Sequence, residues 1–457
     1  MSAVSQQISF QLFISARGGC GKTFLLNAIL DAVRCKEDGG CIALAMASTG
    51  IAAQLLHLGR TFHSRLKAPL HPNKDSTLSI TTQSSLGNLV KMAKLLLIDE
   101  ATMLHRFQIE ALDRSLQDIM NNQSSFGGKI IILAGDFRQC LPVIKWGNRA
   151  QVVQACLNKS PLWPCFEVES LNENMRVRAG GDATLELFDA WTVKVGEGTT
   201  NDGEGIVKLP SDNISIINSN SVEKSMKEFC TKVFPDFERN VLNTKWLEGR
   251  CILAPTNKDV DCVNDMMEKM VPGTSVKLFS SDNLENYADI MRFNTEYLNT
   301  LCPNGFPRHT ITLKPGMLIM LLRNICPKEG LCNGTKLIFL RSLHNKLLIC
   351  KLPWTGETIM IPRIKFLPEQ GTFPFEWSRR QFPIRVAFAT TINKSQGQTL
   401  KHVGVWLNNP VFSHGQFYVA CSRVGDPKAL HFALIDKSAS GDNHTENVVY
   451  KEVLLHK

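Results

Sequence analysis

The run Gly18-Gly19-Cys20-Gly21-Lys22-Thr23 stands between an apolar stretch at 11–15 (QLFIS) and a helical pattern at 23–34. Successive backbone N–H groups in such a turn cradle phosphates, and the helix N-terminus adds its positive dipole. Lys22 would reach the β- and γ-phosphates of a nucleoside triphosphate, and the Thr23 hydroxyl would ligate Mg²⁺. The strict phosphate-loop pattern asks for a glycine ahead of this run, where the chain has Ala16-Arg17. Asp99-Glu100 follows the apolar run 95–98 (LLLI). One carboxylate there would hold the metal and the other would polarise an attacking water, although a helix N-terminus also favours acids. Gln139, in the segment 135–139 (GDFRQ) after 130–134 (IIILA), would bond the γ-phosphate or the water; the plain alternative is a polar loop after a strand. Arg176 and Arg423 are the arginines suited to reach a γ-phosphate across a cleft, against the general expectation of a surface ion pair for any single arginine.

These groups need strands to carry them. Short apolar runs at 11–15, 41–47, 95–98 and 130–134 alternate with helical patterns, the signature of a parallel sheet flanked by helices. A second αβ region opens near 167, with strands expected at 168–171 and 250–254, a Gly/Asp-rich loop at 194–212 and a helix through 263–270. Between 310 and 383 short β-like runs are punctuated by Gly and Pro, which predicts a small barrel inserted in the second α/β domain.

The 457 residues leave room for several domains, and 44% hydrophobic with 20% charged residues exclude a disordered or fibrous chain. A net charge of +9 permits a polyanionic partner without requiring one. Apolar runs are too short to span a bilayer and no signal-peptide pattern opens the chain, so neither membrane insertion nor secretion is expected. Fourteen scattered cysteines without a C-x-x-C predict reduced thiols and no structural metal.

The segments 18–23, 47–64 (ASTGIAAQLLHLGRTFHS), 95–103 (LLLIDEATM) and 128–144 (GKIIILAGDFRQCLPVI) resemble the motifs of the petite-integration-frequency (PIF-one) family of superfamily 1B DNA helicases. The match continues in order through 171–176 (LNENMR), 250–264, 313–324 (LKPGMLIMLLRN), 330–335 (GLCNGT), 388–400 (FATTINKSQGQTL) and 413–424 (SHGQFYVACSRV). It is similar above all to the branch encoded by Helitron transposons. The resemblance implies an α/β chain of two RecA-like P-loop NTPase motor domains with ATP between them. The first would span 1–165 with a wedge insertion at about 57–85. The second would comprise 166–309 and 384–457, with an SH3-like β-barrel at 310–383.

By the same resemblance, Gly18, Gly19, Cys20, Gly21, Lys22 and Thr23 hold ATP, and Thr23 and Asp99 hold Mg²⁺. Glu100 is the base, Gln139 the γ-phosphate sensor, and Arg176 and Arg423 the arginines from the second motor. Thr49, Thr61, His63, Lys394, Gln396, Gln398 and Thr399 fall in motifs that line the single-strand path or couple it to ATP, Gln398 on the nucleotide side. The implied activity is ATP-dependent 5′→3′ unwinding of single-stranded and forked DNA by a monomer, in the nucleus or mitochondrion, in genome maintenance or as a mobile-element product.

Some positions depart from the family pattern. The family's adenine-contacting glutamine precedes the first strand, where Gln6 and Gln7 stand too close to serve; weak base recognition or an incomplete gene is the expectation. Cys20 and Cys421 replace the usual residues, and no His-x-His pair exists to support strand nicking. The competing readings are a catalytically impaired single-strand-binding relic and a translocase that does not unwind.

Overall fold

The computed structural model describes residues 9–35, 40–180, 182–210, 214–217, 219–286, 289, 291–326, 329–369, 371–435 and 443–455. Gln6 and Gln7 lie outside them.

The first lobe is built on strands β1 (Phe10–Ala16), β2 (Ala43–Ala47), β3 (Arg60–Thr61), β4 (Leu95–Asp99), β5 (Ile130–Gly135) and β6 (Glu167–Leu171), in the order β3-β2-β4-β5-β1-β6. All neighbours run parallel. The apolar runs explain this: every residue of β2, β4 and β5 is buried, as strands covered by helices on both faces must be. One face packs Phe13, Ile98, Ile131 and Leu133 against the helix Arg106–Met120, and the other packs Ile14, Leu97 and Ile132 against Leu26 and Leu30 of the helix Lys22–Arg34. Strand order reverses beside β1 and β4, and ligands of open α/β sheets bind at the carboxyl ends of such strands.

Strand β6 corrects the sequence reading. It pairs with β1 in the first sheet, Leu12 opposite Glu167, so the lobe boundary lies beyond Leu171 and not at 165. Part of the segment 57–85, expected as a wedge, belongs to the lobe itself, because Arg60–Thr61 is a sheet strand and Phe62 and Leu66 of the following helix are fully buried in the core. The expected loop at 194–212 starts inside a helix, Ala183–Glu197, and contains the strand Ile206–Lys208.

The second lobe is a five-stranded parallel sheet of Ala389–Thr391, Arg250–Ala254, His402–Leu407, Leu430–Ile435 and Ile214–Ile217, in that order. Its β-rich insertion is wider than 310–383. Leu318–Leu321 pairs with both Lys336–Leu343 and Ile384–Val386, so this five-stranded sheet takes its edge strand from beyond 383. A three-stranded sheet, Ser281–Leu284, Trp377–Gln381 and Ile364–Phe366, leans on it, with its own core of Leu298, Phe306, Phe366, Phe375 and Trp377. The chain then returns to the first lobe, where Val453 joins the core and Arg149 pairs with Glu452 at 2.8 Å.

Candidate nucleotide site between two lobes

The phosphate loop forms where β1 ends. Gly19 and Gly21 adopt φ of 90° and 76°, left-handed values that glycine reaches without strain, and Gly21 caps the helix Lys22–Arg34. A Cβ on Gly19 would also meet Asn174 Oδ1 at 2.5 Å. Ala16 stands at the pattern's leading glycine, and the arginine that follows it has a structural task. Arg17 donates to the Asn172 carbonyl at 3.1 Å and pairs with Asp189 at 2.8 Å, and Asp189 accepts from Asn174 at 2.7 Å. The loop is therefore tied to the helix Ala183–Glu197, which packs on the helix Gln416–Cys421 of the second lobe. Cys20 is buried, which pushes its thiol up and keeps it neutral.

Lys22, Asp99 and Glu100 meet at the loop. The ammonium lies 2.5 Å from Asp99 Oδ1 and 2.7 Å from Glu100 Oε1, with the carboxylates only 2% and 3% exposed. Burial alone would depress Lys22; the two carboxylates overcome it and hold the ammonium above its ordinary value. Burial also pushes Asp99 up, and the neighbouring Glu100 charge keeps it there against the pull of Lys22. For Glu100, burial is outweighed by Lys22, by the amide of Gln396 and by the field of Arg423, so it stays ionised below the carboxylate range. Glu100 itself has φ 52° and ψ 37°, a left-handed conformation that costs a non-glycine residue about 1–2 kcal/mol. Such strain marks a side chain whose aim matters.

A cavity of 280 Å³ is lined by Lys22, Thr23, Asp99, Glu100 and Gln139 of the first lobe and by Gln398, Thr399 and Arg423 of the second. The expected Lys22 and Arg423 thus share one cleft. Arg423 is 4% exposed and donates to the carbonyls of Val419 at 2.9 Å and Gln398 at 3.1 Å, which fixes its stem. Gln139 is 3% exposed, and its Oε1 has no partner among the described residues. An orphaned buried amide at the cleft wall fits a group that waits for a ligand. Arg176 sits in the helix Met175–Gly180, joined to the loop by the bond from Met175 N to Gly19 O at 3.1 Å; its side chain lies outside the described residues.

The lobes are also latched beside Gln139. Asp136, 1% exposed, accepts from Arg138 Nε at 2.8 Å and from the Tyr418 hydroxyl of the second lobe at 2.8 Å. Burial pushes Asp136 up, but Arg138 and Tyr418 hold it below the carboxylate range. His414, fully buried, takes the Tyr450 N–H on Nδ1 at 2.8 Å, so Nε2 carries the proton and donates to the Phe137 carbonyl at 2.8 Å. Burial drives His414 down to about 4. The unfolded chain takes up that proton near 6.5 and the folded chain only near 4. Stability present above 6.5 is lost as pH falls through that window, about 3 kcal/mol in all. Unfolding titrations at pH 7 and pH 4 are expected to show that loss in the wild type and to lack it in His414→Gln.

The strand-path residues are not gathered in this way. Thr49 and Thr61 cap short helices by accepting from Ala52 N at 3.2 Å and Ser64 N at 3.3 Å, and His63 Nε2 faces the Gln108 amide at 2.6 Å. Thr61 lines a 770 Å³ cavity between the first lobe and the barrel loop, with Arg34, Arg60 and Arg65. Lys394 lines a separate 500 Å³ cavity with Arg385 and Asn333. Two assignments change. Thr399 lines the nucleotide cavity. Gln396 is fully buried and donates to Glu100 Oε2 at 2.9 Å, so it cannot touch a strand here. The roles of Arg17, Asp136, His414 and Tyr418 escaped the sequence reading, although the last three lie within the quoted motifs.

A phosphate loop, a strand-end Asp-Glu pair and an opposed arginine across two parallel sheets define a two-lobed P-loop NTPase. The PIF1-like helicase model matches residues 1–205 and the DNA helicase Pif1 2B-domain model matches 296–341, so over those segments the chain is similar to PIF1-like helicases. It is 26% identical over 455 residues to the ATP-dependent DNA helicase PIF1 of Danio rerio, covering 97% of this chain and 61% of that protein. The chain spans about three fifths of the length of the vertebrate relatives it matches. The crystal structure of Pif1 helicase from Candida albicans shares the fold with a TM-score of 0.66 at 22% identity, over 99% of this chain and 95% of that one. Bacteroides Pif1 bound to ssDNA gives 0.67 at 19% identity, over 100% and 93%.

Proposed function

We propose that this chain is an ATP-driven DNA helicase motor that moves 5′→3′ along single-stranded DNA and opens forked duplexes. The observation that carries the reading is the single cleft in which Lys22, Asp99, Glu100 and Gln139 face Arg423. The relatives' name as ATP-dependent DNA helicases and the ssDNA-bound Bacteroides structure support it. Polarity and descent from the Helitron-encoded branch rest on the motif resemblance alone.

The chemistry follows from the side chains. The loop N–H groups and Lys22 bind the triphosphate, with Lys22 leaving its carboxylate partners for the phosphates. Glu100 accepts the proton of the attacking water, Gln139 orients that water or the γ-phosphate, and Arg423 stabilises the charge that develops there. Thr23 and Asp99 supply the hard oxygens that Mg²⁺ prefers and would hold it, and the ion would offset negative charge on the triphosphate. Closure of the lobes on the nucleotide alternates their grip on a strand held through phosphates and stacked bases.

Glu100→Gln is the direct test. It is expected to retain nucleotide and single-strand binding while losing ssDNA-stimulated hydrolysis by about 10²- to 10⁴-fold. A wild type that binds DNA but neither binds nor hydrolyses ATP would favour the relic reading. Hydrolysis without opening of a fork bearing a 5′ tail would leave a translocase.

A further inference from the structure

Glu100 does not receive its orientation from the first lobe alone. Its Oε1 is held by Lys22 at 2.7 Å and its Oε2 by the Gln396 amide at 2.9 Å, a bond that crosses from the second lobe. Lys22 is the partner that a triphosphate takes away. Gln396 is then the donor left on the carboxylate, and it leaves Oε1 to face the cleft.

Gln396 is built for this contact. It is fully buried, and its own Oε1 has no partner among the described residues. A glutamine present for packing would have both ends satisfied or be replaced by an apolar residue, because an unpaired buried acceptor loses its bonds to water and gains none in return. The fold tolerates that cost where the donor end is wanted. The segment around it is rigid. Ser395 Oγ donates to Ile392 O at 2.7 Å, Gln398 N to Ser395 O at 3.0 Å, and Leu400 N to Arg423 O at 2.9 Å. Gln396 and Arg423 therefore move as one body, and Lys394, exposed two residues earlier, rides on it.

We propose that Gln396 is a positioning residue that orients the Glu100 carboxylate from the opposite lobe, so that the base is aimed only when the lobes are closed. This rests on the helicase reading, in which Glu100 takes the proton from water as the water oxygen bonds the γ-phosphorus and the bond to the ADP oxygen breaks. Gln396 touches neither water nor nucleotide in this scheme; it acts through Glu100.

The test measures ssDNA-stimulated ATP hydrolysis by the full chain in the wild type, Gln396→Met, Gln396→Leu, Glu100→Gln and the Gln396→Met/Glu100→Gln double variant. Misaiming a catalytic group by about 1 Å costs on the order of 100-fold. The expected result is a kcat lowered about 10- to 100-fold in Gln396→Met and Gln396→Leu, with KM for ATP within about twofold and melting temperature retained. In the Glu100→Gln background the same substitution is expected to add nothing, because its effect runs through the missing carboxylate. Additive losses, a change confined to KM, or unaltered kcat in Gln396→Met would overturn the proposal. A wild type without ATP hydrolysis would instead remove the helicase reading itself.

Discussion

Lys22→Met is expected to lower ATP hydrolysis by about 10²- to 10³-fold, the usual loss when one donor to the developing phosphate charge is removed. The substitution should also destabilise the nucleotide-free protein, which a role confined to phosphate binding would not do. Lys22 is the cation between two carboxylates that are 2% and 3% exposed. Removing one partner of a buried ion pair costs about 3–5 kcal/mol, because the remaining charge has no solvent to retreat to. The lost stability should depend on pH in a definite direction. Without Lys22, burial and mutual repulsion raise the carboxylates above their unfolded values. Such groups favour the folded state below the unfolded pKa and oppose it as pH rises through the folded one. The stability gap between wild type and variant is therefore widest at neutral pH and closes on acidification through the carboxylate range. Chemical denaturation at several pH values checks this. A gap that does not vary with pH would show that Lys22 carries no such load.

The second large effect is expected far from the cleft. Arg379 is fully buried and spends all five of its N–H donors. It donates to both oxygens of Asp282 at 2.9 and 2.6 Å, and to the carbonyls of Leu301 at 2.8 Å, Pro307 at 3.1 Å and Leu298 at 3.0 Å. It joins two strands of the small three-stranded sheet, where Asp282 is directly opposite Arg379, to the helix Thr295–Thr300. Arg379→Met keeps the length of the side chain and strips every one of these bonds. The buried Asp282 charge and three carbonyls lose a donor, and about 3–5 kcal/mol of stability goes with them. The loss should be local. Trp377, buried beside Arg379 in the cluster of Leu298, Phe306 and Phe366, is expected to show an early unfolding transition. Nucleotide binding at the cleft should survive at denaturant concentrations where that transition is complete. A double change, Arg379→Met with Asp282→Leu, should recover part of the loss, because neither charge is then stranded.

What the chain reveals in advance divides along physical lines. Apolar runs of four to seven residues declared β2, β4 and β5, because a strand buried on both faces leaves no polar position to confuse the pattern, and β1 shows the same run with Gln11 and Ser15 at its ends. Lys22, Asp99, Glu100 and Gln139 were legible because each lies at the carboxyl end of an apolar strand or in or at the end of the short loop after it. Strand β6 was assigned to the wrong lobe, since its sequence (EVESL) is mostly exposed and only the register against β1 decides which sheet it joins. The insertion was drawn too narrow for a similar reason: Ile384–Val386 looks like the start of the following α/β segment until Leu318–Leu321 is seen to pair with it. Gln396 was placed on the DNA side because residues of one motif face different ways: Lys394 is exposed, whereas Gln396 is buried against Glu100. The strained backbone of Glu100 and the chain of bonds from Arg17 to Asp189 have no signature in local sequence at all.

The closed joint beside Gln139 has a consequence for how such a machine changes shape. Parting the lobes would strand, together, the Asp136 carboxylate, the Tyr418 hydroxyl, the Phe137 carbonyl and the His414 ring, each of which is deeply enclosed. Halfway separation breaks these bonds before water can replace them, so intermediate gaps are penalised more than either end point. The hinge should therefore snap between two positions instead of gliding through a continuum.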